Sequence, residues 1–361
     1  MKTVDHVLKA VESPDLPVLA APAYQPNGSS NRIALAVPSM ARHMSDEGWQ
    51  LMQGLQHNGY TLYGNKLTAH DVVGTHVAAI VDHAAPGTLV LQDKREWDAS
   101  THNHLALANE HFHNVKHLAE RPDIFKLTVL KDSHQRPGYH RDSAEEIGCH
   151  AWITYYHPRI VKHLAPYVRA EHLIRTWHTV NPDLVPSYSP ANRQGCFLSG
   201  AISGVYPLRW ALYQARSALD SCTYLGHPGY HNFGTNTPAY LSTLAKFKVA
   251  ICTSSIYGYA LRKIIEATAC GCVVITDLPV DDQIPWIDGN LVRVNCDQVH
   301  GAVQEIRALL PQLYQTYNPE QQFHYAELAR THFSFQSVGT ELAANIEKMR
   351  VSYNSTTPLV A

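Results

Sequence analysis

Residues 248–277 read KVAICTSSIYGYALRKIIEATACGCVVITD. Two apolar runs, Val249–Cys252 and Cys272–Thr276, are short and rich in β-branched residues, the mark of buried strands. Between them Leu261, Ile264, Ile265 and Thr268 fall at i, i+3, i+4 and i+7, which predicts a core-facing helix over Ala260–Ala269. Gly271 supplies the stop. Strand, polar loop, helix, turn and strand in one short stretch form the repeating unit of an α/β protein with a parallel sheet.

The same alternation extends in both directions. Toward the N-terminus, strands are predicted at Arg32–Pro38, Tyr60–Tyr63, Thr88–Leu91, Phe125–Leu130, Ala151–Tyr155 and Leu173–Trp177, with helices at Ser45–Asn58 and Asp71–His83. Around 178–195, HTVNPDLVPSYSPANRQG interrupts the periodicity with prolines and reads as a linker. Strands then resume at Cys196–Leu198, Thr223–Leu225 and Leu291–Val294, with helices at Pro207–Ser217, Pro238–Lys246 and Val299–Leu313. The expectation is two Rossmann-like α/β domains with parallel sheets facing a cleft. Residues 1–30 form a lead-in, 31–190 a first domain and 191–334 a second, and a helix in 335–361 crosses back to the first. Ligands of such sheets bind beyond the strand C-termini.

Composition narrows the chemistry. At 361 residues, 45% hydrophobic and 17% charged, the chain is long enough and apolar enough to fold without staples. A formal charge of −2 supplies no global field for nucleic acid. With no eighteen-residue apolar run and no basic-then-apolar leader, a cytoplasmic protein is expected. The 7 cysteines form no CxxC pair and read as free thiols of a reducing compartment. His102, His104, His111, His113 and His117 cluster, yet no carboxylate or cysteine set completes a ligand shell, so no metal is expected. GxGxxG, GxxxxGK[ST] and GxSxG are all absent, which disfavours dinucleotide, P-loop and α/β-hydrolase chemistry.

The loop Ser254-Ser255-Ile256-Tyr257-Gly258 follows a strand end and opens a helix, where backbone N–H groups and the helix dipole favour an anion. Tyr257, Gly258 and Tyr259 line that approach, and Arg262 and Lys263 add charge. Glu266, one turn after Arg262, is placed to accept hydrogen bonds from a vicinal diol. Diphosphate beside ribose describes a nucleotide sugar; the competing reading is an ordinary i,i+4 surface ion pair. Ser199, Gly200 and Ser203 follow another strand end, where small residues admit a phosphate or merely form a turn. Arg209 faces the site or caps the surface, and His227 meets a base or sits in a turn. Asp132 and His134 follow a first-domain strand and are candidates for the base that activates an acceptor hydroxyl. Asp93 and His157 are rivals for that role.

The run Glu266-Ala267-Thr268-Ala269-Cys270-Gly271 after Arg262-Lys263 resembles the E-A-x-A-x-G donor motif of GT-B glycosyltransferases of the "glycosyl transferases group 1" type. The closest branch is that of the spore-maturation, CgeB-like proteins. WHTVNPDLVPSY resembles the interdomain "PHGVDPxxF" segment, with His178, Asn181 and Pro182 matching, and FLSGAISGVYPLR (197–209) resembles the entry to the second domain. The resemblance covers about 170–295 and implies an acceptor-binding first domain and a nucleotide-sugar-binding second one. It also implies a UDP-sugar as favoured co-substrate, a glycan or small-molecule acceptor, and no required cofactor. His178 becomes an acceptor-side candidate. Gly258 departs from the pattern, standing where E-x7-E relatives carry their first glutamate. Rival functions are glycosylation of modified DNA bases, sugar-nucleotide epimerisation or hydrolysis, and non-catalytic nucleotide-sugar binding.

Overall fold

A computed structural model describes residues 31–35, 47–63, 85–91, 117–134, 137–227 and 237–353. The predicted helix over Asp71–His83, Asp93 and most of the histidine cluster lie outside them. The chain divides into two compact units. Among the described residues, one spans His178–Ser334 and the other holds those up to Trp177 together with Phe335 onward.

In the unit containing the N-terminal half, six parallel strands are ordered β2-β1-β3-β4-β5-β6. They are β1 (Arg32–Leu35), β2 (Thr61–Tyr63), β3 (Gly87–Leu91), β4 (Ile124–Val129), β5 (Ala151–Thr154) and β6 (Leu173–Arg175). In β4 and β5 every residue is buried, the continuous apolar pattern of a sheet covered on both faces. Lys126, in the middle of β4, is the exception in type; its Nζ donates to the Arg121 carbonyl at 2.9 Å.

Helices α1 (Glu47–His57), α2 (Pro137–Glu146) and α3 (Pro158–Leu164) connect the strands. A long C-terminal helix, Phe335–Ser352, packs on α1 in the same unit. Gly54 and Gly339 meet at their crossing; a Cβ added to Gly54 would lie 2.9 Å from the Gly339 Cα, so only glycine permits this approach. Past the helix, Tyr353 sets its ring edge against Phe125 and His150.

The other unit has five parallel strands in the order β11-β10-β9-β7-β8. They are β7 (Gln194–Gly200), β8 (Cys222–Gly226), β9 (Phe247–Ile251), β10 (Val273–Thr276) and β11 (Leu291–Arg293). Its helices are α4 (Pro207–Gln214), α5 (Thr237–Leu244), α6 (Arg262–Ala269), α7 (Val299–Gln315) and α8 (Pro319–His332), so that Phe335–Ser352 is α9. One face of the sheet buries Leu198, Val249, Ile251 and Ile275 against Leu208, Leu212, Ile306 and Leu310 of α4 and α7. On the other face α6 packs under α8 and α5.

Strand order places the site. Renumbered within its own sheet, this order is 2-1-3-4-5, and the direction of winding reverses between β7 and β9. The C-terminal ends of those two strands, Gly200 and Ile251, therefore flank the crevice where a doubly wound sheet binds its ligand.

Candidate functional site

The crevice is built from small residues and cations. β7 ends at Ser199 and Gly200, and Gly200 has φ +116°, a conformation L side chains rarely adopt. A Cβ there would collide with Lys263 Nζ and lie 2.7 Å from Arg209 Nη1. The missing side chain thus lets two cations converge on the end of the strand. Lys263, the second residue of α6, donates from Nζ to the Ser199 carbonyl at 2.8 Å and to Ser199 Oγ at 3.2 Å. Arg209, buried in the first turn of α4, donates to Thr253 Oγ1 at 3.0 Å, to the Thr253 carbonyl at 3.2 Å and to the Ala201 carbonyl at 3.3 Å. Its guanidinium carbon lies 4.0 Å above the Tyr206 ring.

Among the described residues, neither cation has a carboxylate within ion-pair distance. Two like charges held together in a half-buried cleft disfavour each other. Burial and the Arg209 charge push the Lys263 ammonium down to about 7. Burial likewise lowers Arg209. An arriving dianion would relieve both. The start of α6 adds to the field, since Leu261 provides no side-chain cap hydrogen bond there.

Around the pair, Tyr224 Oη donates to the Gly200 carbonyl at 2.8 Å and Tyr240 Oη lies 3.3 Å from Ser199 Oγ. Asp277, at the end of β10, accepts a short hydrogen bond from the Ser254 N–H, and burial raises its carboxyl above the usual carboxylate range. Gly258, with φ +69°, turns the loop toward Tyr259 and Ala260; its N–H donates to the Ser255 carbonyl at 2.8 Å. Tyr257 and Tyr259 face each other, with centroids 5.6 Å apart.

Arg262 and Glu266 do not form the surface pair that their spacing allows. Both are buried, at 8% and 7% exposure, and Arg262 Nε lies 3.2 Å from Glu266 Oε1. The guanidinium is desolvated, donates to the Thr179 carbonyl and takes the carboxylate one turn away as an ion-pair partner. Arg262 is expected from the sequence to join Lys263 at the anion; the cation whose atoms lie with Lys263 beside Gly200 is Arg209. The predicted start of the helix also shifts, because Leu261 is extended at φ −97°, ψ 148°.

The remaining predicted residues are scattered. Ser203 lies in the turn before α4, where its carbonyl accepts from the Tyr206 N–H at 3.0 Å. His227 follows β8 and is half-buried. His178 lies in the unit of α6, not in the one that carries Asp132. Its Nε2 donates to the Ala260 carbonyl at 2.8 Å, and burial depresses its imidazole to about 3. A neutral ring hydrogen-bonded to a backbone carbonyl supports the loop before α6. His157 caps α3, accepting at Nδ1 from the Arg159 N–H at 3.3 Å. In the other unit Asp132, at φ +47°, and His134 sit in the turn after β4, and Tyr156 Oη donates to Asp132 Oδ1 at 2.9 Å.

Sequence reasoning missed Thr253, Tyr224, Tyr240 and Asp277. Thr253 and Asp277 had a signal, since each directly follows a buried strand. The two tyrosines reach the site from β8 and α5 and had none. Among the described residues no group of three His, Cys, Asp or Glu can hold a metal, and no helix is long and apolar enough to cross a membrane.

No protein-family profile and no curated protein matches the chain by sequence. Solved structures do match. Anabaena Alr3699/HepE, crystallised with UDP and glucose, is 11% identical with a TM-score of 0.52, covering 88% of this chain and 99% of its own. An α-glucosyltransferase in complex with UDP-glucose and DNA containing an abasic site is 10% identical with a TM-score of 0.50, at 88% and 99% coverage. The pneumococcal O-GlcNAc transferase GtfA, with UDP and GlcNAc, is 12% identical with a TM-score of 0.43 over 76% of this chain, which spans 60% of that larger protein. At such identities the likeness is one of fold. Two sheets of parallel strands in doubly wound order, matched over 88% of the chain with the first two of these structures, give this chain the GT-B fold of two Rossmann-like α/β domains.

Proposed function

We propose that the chain is a glycosyltransferase that binds a nucleotide-diphosphate sugar, UDP-sugars being favoured, and passes the sugar to an acceptor hydroxyl of a glycan or small molecule. The observation that carries this reading is the convergence of Lys263 and Arg209 on Gly200 at the switch point of the sheet, with no carboxylate among the described residues within ion-pair distance of either. Diphosphate supplies the missing negative charge, and Glu266 on the same short helix is the acceptor for ribose hydroxyls. As the glycosidic bond breaks, charge grows on the leaving diphosphate, and two fixed cations beside a helix N-terminus stabilise that charge.

This assignment gives the work a divalent ion does in other transferases to side chains, so no metal cofactor is invoked. If the sugar inverts, Asp132 or His134 deprotonates the acceptor; if it is retained, a leaving phosphate oxygen takes that proton. A DNA acceptor is a weaker fit, because a net charge of −2 gives no general attraction to a polyanion.

Calorimetric titration with UDP tests the reading. Binding that is lost in Lys263→Ala and Arg209→Ala supports it, whereas wild-type protein inert to UDP, GDP and their sugar conjugates refutes it. Release of UDP from a UDP-sugar only when an acceptor is present would separate transfer from hydrolysis, epimerisation and mere binding.

A further inference from the structure

The first residue of α6 is as buried as the core and yet charged, and it contacts both a backbone carbonyl outside the helix and a carboxylate within it. Arg262 Nε donates to the Thr179 carbonyl at 2.9 Å and lies 3.2 Å from Glu266 Oε1. One residue earlier in that segment, His178 Nε2 donates to the Ala260 carbonyl at 2.8 Å. The segment is itself anchored: the Val180 N–H donates to the Phe333 carbonyl at 2.8 Å, and Val180 bridges to Ser334. The start of α6 is therefore gripped at Ala260 and at Arg262 by residues 178–179, next to the two points where the chain leaves this unit.

We propose that Arg262 is a positioning residue of the nucleotide site: it aims the Glu266 carboxylate at the ribose hydroxyls and ties α6 to the segment 178–180, and it does not meet the diphosphate. The assignment rests on the donor-site reading above. A carboxylate with one oxygen fixed by a guanidinium loses rotation about its terminal bond, so a diol meets a prearranged acceptor. Without the guanidinium the buried carboxylate loses the positive charge beside it on α6, which favours its protonation or a turn toward water. Either change removes the acceptor from the ribose while leaving Lys263 and Arg209 in place.

Two probes divide the site. UDP carries both diphosphate and ribose; inorganic pyrophosphate carries only the first. In calorimetry on the full chain, Arg262→Met is expected to lower UDP affinity about 10- to 100-fold, the loss of a charged hydrogen bond, with pyrophosphate affinity unchanged. Lys263→Ala should weaken both. In a Glu266→Gln background, adding Arg262→Met should cost UDP affinity nothing more. Parallel loss of UDP and pyrophosphate in Arg262→Met, or additive losses in the double variant, would overturn the positioning role while leaving the donor site standing. Wild-type protein that binds neither probe would overturn the donor site and this role together. Should Arg262→Met lack a cooperative thermal transition, Arg262→Lys keeps the charge without the fork and is read by the same two affinities.

Discussion

Lys263 shows how a position acquires its chemistry from what surrounds it. Its ammonium, held near 7 by burial and by Arg209, is half deprotonated at neutral pH, whereas a bound diphosphate favours the charged form. UDP binding should therefore take up a proton. Above pH 7 the free protein must be protonated before it binds, so affinity should fall about tenfold per pH unit from there upward. Calorimetry in buffers of differing ionisation enthalpy reads the uptake directly; an affinity flat between pH 7 and 9 would contradict it. At Gly200, Gly200→Ala should abolish most UDP binding, because the new methyl displaces both cations and sits on a backbone at φ +116°. A Gly200→Ala variant with wild-type affinity would mean the crevice is not the site.

Among the elements, α6 carries the site and α1 with α9 carry the close packing. The spacing of Leu261, Ile264, Ile265 and Thr268 revealed a helix and its inner face. It did not reveal that α8 and α5 pack on α6 or that its charged pair is covered, because the helices and residues 178–179 lie far from α6 in sequence and nothing local encodes their docking. That cover turns an exposed pair worth a few tenths of a kcal/mol into a buried one whose disruption is costly. At the α1–α9 crossing, Gly54→Ala and Gly339→Ala should each destabilise the protein by about 1–3 kcal/mol, the cost of forcing a methyl into packed backbone. Urea unfolding would measure this, and unchanged midpoints would show that the helices can separate at no cost.

At the scale of the molecule, buried histidines set the acid limit. His178 and His150 are held near 3 and 4 by burial, against about 6.5 for an unfolded chain. Above pH 6.5 both imidazoles are neutral in either state and their contribution is complete. Below it the unfolded chain takes up protons that the native state refuses, so stability should drop by on the order of a few kcal/mol toward pH 4. Lys263 acts in the same direction over a higher range: with its native value depressed, stability should rise further as pH climbs from 7 toward 10 in the absence of ligand. Urea midpoints across pH 4–10 test both slopes, and replacing His178 with Gln should flatten the acid limb in part.

Alternation of short apolar runs with helical stripes was enough to specify parallel α/β units, because burial on both sheet faces and the 3.6-residue period are local properties of the chain. The loop before α6 was legible for the same reason, since a strand end followed by a helix start presents free backbone N–H groups wherever it occurs. Strand order was not legible, and with it went the partnership of Arg209 with Lys263, residues 54 positions apart that meet only because β7 and β9 are neighbours. The inward turn of Arg262, the lock of His178 on Ala260 and the closeness of Gly54 to Gly339 depend likewise on contacts distant in sequence. Folding alone decides such contacts, since which charges are desolvated together is a property of packing.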